Sequence, residues 1–166
     1  MMTLNTEYDA IIIVTSKESA STLLGLYHYD ATNGVGSVLL VNVHNFAGNS
    51  QARIADRQNY LNLLAQYIVS EDPDYFIVCG DFNAKVPDSD YPILLAFCNA
   101  VGAKPVNGGV LGWFTTCSAE EIEKGYDNII VSNNIEIKSI ECDPILVAIG
   151  ALHTDHLPVT ATLEFH

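Results

Sequence analysis

Basic residues are scarce in this chain: seven Lys and Arg stand against twenty Asp and Glu, a net charge of −13. A field of that sign repels nucleic acid and membrane surfaces unless metal ions or a local basic patch compensate, which counts against a simple DNA-binding module. It leaves room for an enzyme that reaches phosphate through a divalent cation, because hard cations bind acidic clusters. Charge of either sign is also thin, 16% of residues against 49% hydrophobic, which excludes disorder and demands extensive burial. Cys79, Cys98, Cys117 and Cys142 are widely spaced and form no CxxC, so a zinc site has no support, and Cys79 reads as a small buried hydrophobe. The N-terminal residues lack a basic region followed by an apolar stretch and a cleavage site. No apolar run approaches a membrane span, so an intracellular protein without a membrane segment is expected. No repeat, low-complexity tract or linker interrupts the 166 residues, and a single domain over 1–166 is predicted.

What is present alternates strand-like and helix-like stretches. Tyr8 to Thr15 holds the continuous run Ala10-Ile11-Ile12-Ile13-Val14, the pattern of a strand buried on both faces. Residues 22–29 and 36–44 flank the turn signal Asp30-Ala31-Thr32-Asn33-Gly34 and predict a hairpin that ends at His44. From Ser50, a candidate cap, Ile54, Leu61, Leu64, Ala65 and Ile68 recur at helical spacing to about Ser70. Arg53 and Arg57 then read as its solvated face. Glu71-Asp72-Pro73-Asp74 stops that helix, and Tyr75 to Cys79 is a strand. A loop over 86–90, a short helix from Tyr91 to Val101 and a Gly- and Pro-punctuated segment over 102–112 come next. Strands are predicted at Trp113–Thr116, Tyr126–Val131, Ile135–Glu141 and Leu157–Phe165.

The chain is organised around Ile77-Val78-Cys79-Gly80-Asp81-Phe82-Asn83-Ala84-Lys85. Side chains alternate in an extended backbone, so Asp81 and Asn83 are expected to face one way and Phe82 the core. An Asp beside an Asn at a strand end can share a phosphate, a metal ion or an attacking water. Gly, Asp and Asn are equally the residues of a simple turn. His44, Asp127, and Asp155 with His156 are three further polar clusters at predicted strand ends, where sites are commonly assembled. Each has a structural reading too. His44 can be a packing or surface histidine, Asp127 a partner for a buried hydroxyl, Asp155 a turn cap before Pro158, and Trp113 and Phe114 core.

Taken together, Val41-Asn42-Val43-His44-Asn45, Cys79 to Lys85, Gly125-Tyr126-Asp127-Asn128-Ile129-Ile130-Val131-Ser132 and His153-Thr154-Asp155-His156-Leu157-Pro158-Val159 resemble, in this order, the C-terminal two thirds of the endonuclease/exonuclease/phosphatase (deoxyribonuclease I-like) superfamily. Trp113-Phe114-Thr115 sits between the second and third motifs. The Gly-Asp-Phe-Asn-Ala-Lys wording is most like the retroelement endonucleases. The resemblance implies an α+β fold, an αββα sandwich. It also implies a divalent-metal-dependent phosphodiesterase, a DNA endonuclease foremost, using Mg²⁺ or Mn²⁺ on nucleic acid or another phosphodiester. In this likeness Asp81 accepts a proton from the attacking water and Asn83 holds a phosphate oxygen. Asp127 orients His156, whose protonated imidazole stabilises phosphoryl charge. Asp155, with Asp81, holds the metal, and His44 is the general acid at the leaving oxygen.

The chain departs from the superfamily at its start, since His44 arrives after 43 residues and most of the strand–helix–strand portion that carries a metal-binding glutamate is absent. Asn5 and Glu18 are faint echoes of the missing motifs at the wrong spacing. Two expectations follow from that loss. Exposed apolar surface is covered by a second copy or another chain, and a catalytically impaired relative that serves as a binding, assembly or inhibitor protein is the alternative to an enzyme. A phosphatase acting on a small or lipid substrate is a third reading.

Overall fold

The computed structural model describes residues 9–13, 21–31, 34–84, 91–105, 126–142 and 159–166. Two long strands, β2 (Ser21–Ala31) and β3 (Gly34–His44), pair antiparallel from Ala31↔Gly34 to Ser21↔His44, which is the predicted hairpin. β1 (Asp9–Ile13) pairs on the outer side of β2 and is an edge strand of the sheet.

Helix α1 (Gln51–Glu71) starts because Ser50, in extended conformation, accepts the Arg53 amide on its Oγ at 3.3 Å. It ends at Asp72, which turns left-handed (φ 46°) while its amide still donates to the Ile68 carbonyl, and Pro73 then blocks continuation. Leu61, Leu64, Ala65 and Ile68 form its buried stripe. A parallel strand pair needs a crossover, and α1 supplies it between β3 and β4 (Tyr75–Asp81).

α2 (Tyr91–Val101) buries Leu94, Phe97 and Cys98 beside α1. β5 (Ala103–Pro105), in a segment where the sequence predicts only punctuation, pairs with β6 (Asp127–Ser132), and β6 runs antiparallel to β4. The six-stranded order is β1-β2-β3-β4-β6-β5. β7 (Ile135–Cys142) and β8 (Val159–Phe165) make a separate two-stranded sheet, with a register shift between Ile137 and Ser139.

Burial sorts these elements into layers. Leu39, Val41 and Val43 of β3, Phe76 and Val78 of β4 and Ile130 of β6 face the two helices. On the opposite face Ile77 and Ile129 pack with Val131 against Ile137, Leu163 and Phe165 of the small sheet. Helices, large sheet and small sheet are three layers of the expected α+β sandwich. Cys98 is buried in the helical layer and its thiol is pushed up to about 11 by desolvation, which suits packing rather than reactivity. Leu63, Val69 and Leu95 are large apolar side chains exposed on the helices. Among the described residues no helix is long and apolar enough to cross a membrane.

The entry to β4 is held by a side-chain clasp. The Asp74 carboxylate accepts the Ser37 amide at 2.7 Å and the Ser37 hydroxyl at 3.1 Å, and the Asp74 amide donates to Ser37 Oγ at 3.0 Å. Those donors, the backbone amide foremost, hold the Asp74 pKa below its ordinary 3.8. A carboxylate depressed in the folded state contributes stability above its unfolded pKa and loses it as the pH falls through the folded value. The stability advantage of wild type over Asp74→Asn is therefore expected to be constant from neutral pH to about 5 and to shrink below 3.8, as followed by urea unfolding at each pH. A difference that grows on acidification contradicts it.

Candidate active site

The ends of three strands define one rim. In the ladder His44 of β3 stands opposite Asp81 of β4, and Asp81 stands opposite Asp127 of β6. Paired residues project to the same face of a sheet, so the three side chains form a row on the face turned away from the helices. Val43 and Phe82, one residue off, point to the helical core instead. His44 Nε2 lies 3.8 Å from Asp81 Oδ2, beyond a hydrogen bond but close enough for attraction when the imidazole is protonated. The His44 side chain is 57% exposed and that of Asp81 17%, so the imidazole is the outer member and the carboxylate the inner one.

Gly80 makes the rim possible. Its φ is +129°, and a Cβ there would lie 2.0 Å from the Val43 carbonyl oxygen and 2.9 Å from Asn42 Oδ1. Only a residue without a side chain lets β4 approach β3 at this point. The next turn is closed by an Asx interaction: the Asn83 amide donates to Asp81 Oδ1 at 2.7 Å, and Asn83 itself is left-handed (φ 49°), which Asn tolerates. Phe82 is fully buried, and its amide donates to the Tyr126 carbonyl at 2.9 Å, locking the β4 exit to the residue before Asp127. Gly80-Asp81-Phe82-Asn83 is thus a turn, as its residue types allow, and that turn fixes the backbone that carries Asp81 and Asn83.

Asn45 ties the rim together from behind. Its amide donates to the Asp81 carbonyl at 2.8 Å, and its own carbonyl accepts Asn83 Nδ2 at 2.9 Å. With the Asn83 amide on Asp81 Oδ1, Asn45, Asp81 and Asn83 close a ring of hydrogen bonds. Asn45 has no solvent exposure, its Oδ1 accepts the Phe46 amide at 2.8 Å, and its Nδ2 is buried with no partner among the described residues.

Solved structures share this architecture. An endonuclease/exonuclease/phosphatase from Beutenbergia cavernae superposes over 99% of this chain with TM-score 0.72 at 12% identity. The mannosyl-6-phosphatase Bt3783 of Bacteroides thetaiotaomicron superposes over 87% (0.60, 16% identity), and D. rerio TDP2, complexed with a single-strand DNA product, over 96% (0.61, 13% identity). The chain has the endonuclease/exonuclease/phosphatase fold. It spans 46% of the first of those proteins, 57% of the second and 67% of the third, so it is a partial version of the fold. No protein-family model and no curated sequence matches it.

Within the endonuclease/exonuclease/phosphatase fold, His44, Asp81, Asn83 and Asp127 lie at one edge of the large sheet. Asp155 and His156, with Glu18, Asn5 and the Trp113–Thr116 stretch, lie outside the described residues. Asp81, Asp127 and Asn83 offer oxygen donors at the rim, the kind that hard divalent cations take. A different trio, Glu136, Glu164 and His166, brings its ligand atoms within 4.8 Å of one another on the exposed small sheet. Lys138 already bridges Glu136 at 2.8 Å and also Glu164 there. The Tyr75 hydroxyl donates to the His166 carbonyl, so this trio sits by the far end of β4, about 20 Å of strand from Asp81. It is not the metal position that the motifs imply.

One assignment is overturned. Arg57 is not on a solvated face: it is 1% exposed, and its Nη1 donates to the carbonyls of Phe46 at 2.9 Å and Gly48 at 2.6 Å. The sequence signal existed, because Arg57 stands four residues before Leu61 on the same stripe as Leu64 and Ile68. A cation there serves the loop after His44. Arg53 is half-buried rather than fully solvated, paired with Asp56 at 3.6 Å and lying over the Phe46 ring.

Proposed function

We propose that the chain is a divalent-metal-dependent phosphodiesterase, foremost a DNA endonuclease of deoxyribonuclease I-like type. The single observation that carries this reading is the row His44, Asp81, Asp127 across three neighbouring strands, with Asn83 fixed beside it. Asp81, held by the Asn83 amide on one oxygen, takes the proton of the attacking water on the other. Asn83 has one side-chain N–H fixed by Asn45, which sets the plane in which its second donor meets a phosphate oxygen. His44, the exposed member, donates a proton to the leaving oxygen. Asp127 orients His156, whose imidazolium offsets charge on the phosphoryl group. Asp155 and Asp81 would hold the metal, which would supply charge neutralisation at the phosphate and a more acidic water.

The fold is shared by a mannosyl-6-phosphatase and by a protein solved with a single-strand DNA product, which supports phosphoester chemistry as the common ground. Nicking of supercoiled plasmid with Mg²⁺ or Mn²⁺ tests the enzyme. Wild type is expected to nick in either metal, and Asp81→Ala and His156→Ala each to abolish it. Nicking that survives both substitutions points to a contaminant and removes the assignment. A wild type that never nicks, but hydrolyses a phosphomonoester, moves the substrate to a small phosphate. The net charge of −13 favours one further reading, a catalytically impaired relative that presents an acidic surface to a basic partner, and complete inactivity on both substrates selects it.

A further inference from the structure

We infer that Arg57 is a positioning residue for this site, acting through the 45–48 loop on the carboxamide of Asn83; the inference rests on the active-site reading above. Arg57 is buried on the amphipathic stripe of α1, in line with Leu61, Leu64 and Ile68. What it adds is direction: one guanidinium nitrogen, Nη1, donates to both the Phe46 and the Gly48 carbonyls. Gly48, at φ +104°, is the left-handed turn that brings its carbonyl back toward the helix.

The peptide plane transmits that direction. The Asn45 carbonyl and the Phe46 amide belong to one rigid planar unit and point opposite ways within it. The Phe46 amide is held by Asn45 Oδ1 at 2.8 Å, so the Asn45 carbonyl is aimed at Asn83 Nδ2, which it meets at 2.9 Å. The other side of Phe46 is the carbonyl gripped by Arg57. Release of that carbonyl frees the Phe46 backbone to rotate, swings the Asn45 carbonyl and unfixes the Asn83 amide plane. The polypeptide between His44 and α1 is thereby an orienting arm with its anchor on the helix. The buried Nδ2 of Asn45, which has no partner among the described residues, accords with that role, because the side chain is held by what its Oδ1 must do rather than by what its nitrogen needs.

Two variants separate orientation from bulk. Arg57→Met keeps the volume and removes the donor, leaving the Phe46 and Gly48 carbonyls without it, so its folding is checked first by circular dichroism and thermal unfolding. Arg57→Lys keeps a cation whose single nitrogen can serve both carbonyls, though on a shorter arm. The primary readout is the Asn83 side-chain NH₂ pair in ¹H–¹⁵N spectra, which needs no substrate. In Arg57→Met the pair is expected to move to the random-coil position and to lose its protection from solvent exchange, and in Arg57→Lys to return at least partly to its wild-type position. On a substrate that wild type turns over, Arg57→Met is expected to lower kcat about 10-fold or more with KM within about 2-fold, as an interaction that matters only in the transition state does. A folded Arg57→Met with an unmoved Asn83 pair overturns the inference. So does an Arg57→Lys that resembles Arg57→Met, since a packing role alone does not distinguish them from each other. If wild type turns over no phosphoester, the enzyme reading fails while the Asn83 signal still decides the role of Arg57.

Discussion

Gly80→Ala is expected to lower the unfolding free energy by on the order of 4 kcal/mol or more, among the largest single-residue losses available to this chain. Two effects combine. The φ of +129° is one that an L side chain rarely adopts, and the new Cβ would fall 2.0 Å from the Val43 carbonyl oxygen and 3.0 Å from its carbon. Those are backbone atoms of the neighbouring strand, so no rotamer change can relieve the clash, and β3 and β4 must separate where His44 pairs with Asp81. Gly102→Ala is the control: φ is +67° there as well, but nothing lies within 4 Å of the added carbon, so only the conformational term of about 1–2 kcal/mol is expected. Guanidinium unfolding of the two variants side by side checks this. A Gly80→Ala loss no larger than that of Gly102→Ala shows that the strand contact is not as close as described.

The second large effect is on activity. Asp81→Asn is expected to reduce phosphoester cleavage by about 10²–10⁴-fold, the range for removal of a general base, with little loss of stability. The carboxamide keeps an oxygen where Asp81 Oδ1 accepts the Asn83 amide, so the Asx turn survives. The backbone bond from the Asn45 amide to the Asp81 carbonyl is untouched by any change of side chain. What is lost is the negative charge facing His44 and the capacity to take a proton from water. Asp81→Ala removes the turn acceptor too and is expected to fall further. The gap between the Asn and Ala variants therefore measures how much the turn contributes by aiming Asn83. An Asp81→Asn protein that keeps more than a tenth of the wild-type rate excludes Asp81 as the base.

Local signals made most of the elements legible. The helix over 51–71 follows from the spacing of Leu61, Leu64, Ala65 and Ile68 and from Ser50 at its start, and both are properties of the chain taken a few residues at a time. β2 and β3 follow from a turn signal between two apolar runs, and β4 from an apolar run that ends in glycine. β5 left no such trace: three residues including a lysine and a proline are strand only because β6 offers Ala103–Pro105 a partner. Arg57 was misread for a related reason. Its place on the apolar stripe was visible, but a charged residue there is buried only if something in the fold supplies acceptors, and the Phe46 and Gly48 carbonyls come from another segment.

The site divides along the same line. That Phe82 turns into the core beside Asp81 follows from side-chain alternation, and the sequence by itself determined it, whereas Asn83, left-handed and beyond the end of β4, is placed by the Asx turn rather than by alternation. That His44, 37 residues earlier, and Asp127, 46 residues later, stand in the same row as Asp81 was decided only by strand register, which depends on which apolar faces meet in the core. The sequence likewise determined that residue 80 is glycine, whereas only the close approach of β3 explains why it has to be. Periodicity is written in neighbouring residues, but acceptors, clashes and register are supplied by distant ones, and they exist only once the strands have paired.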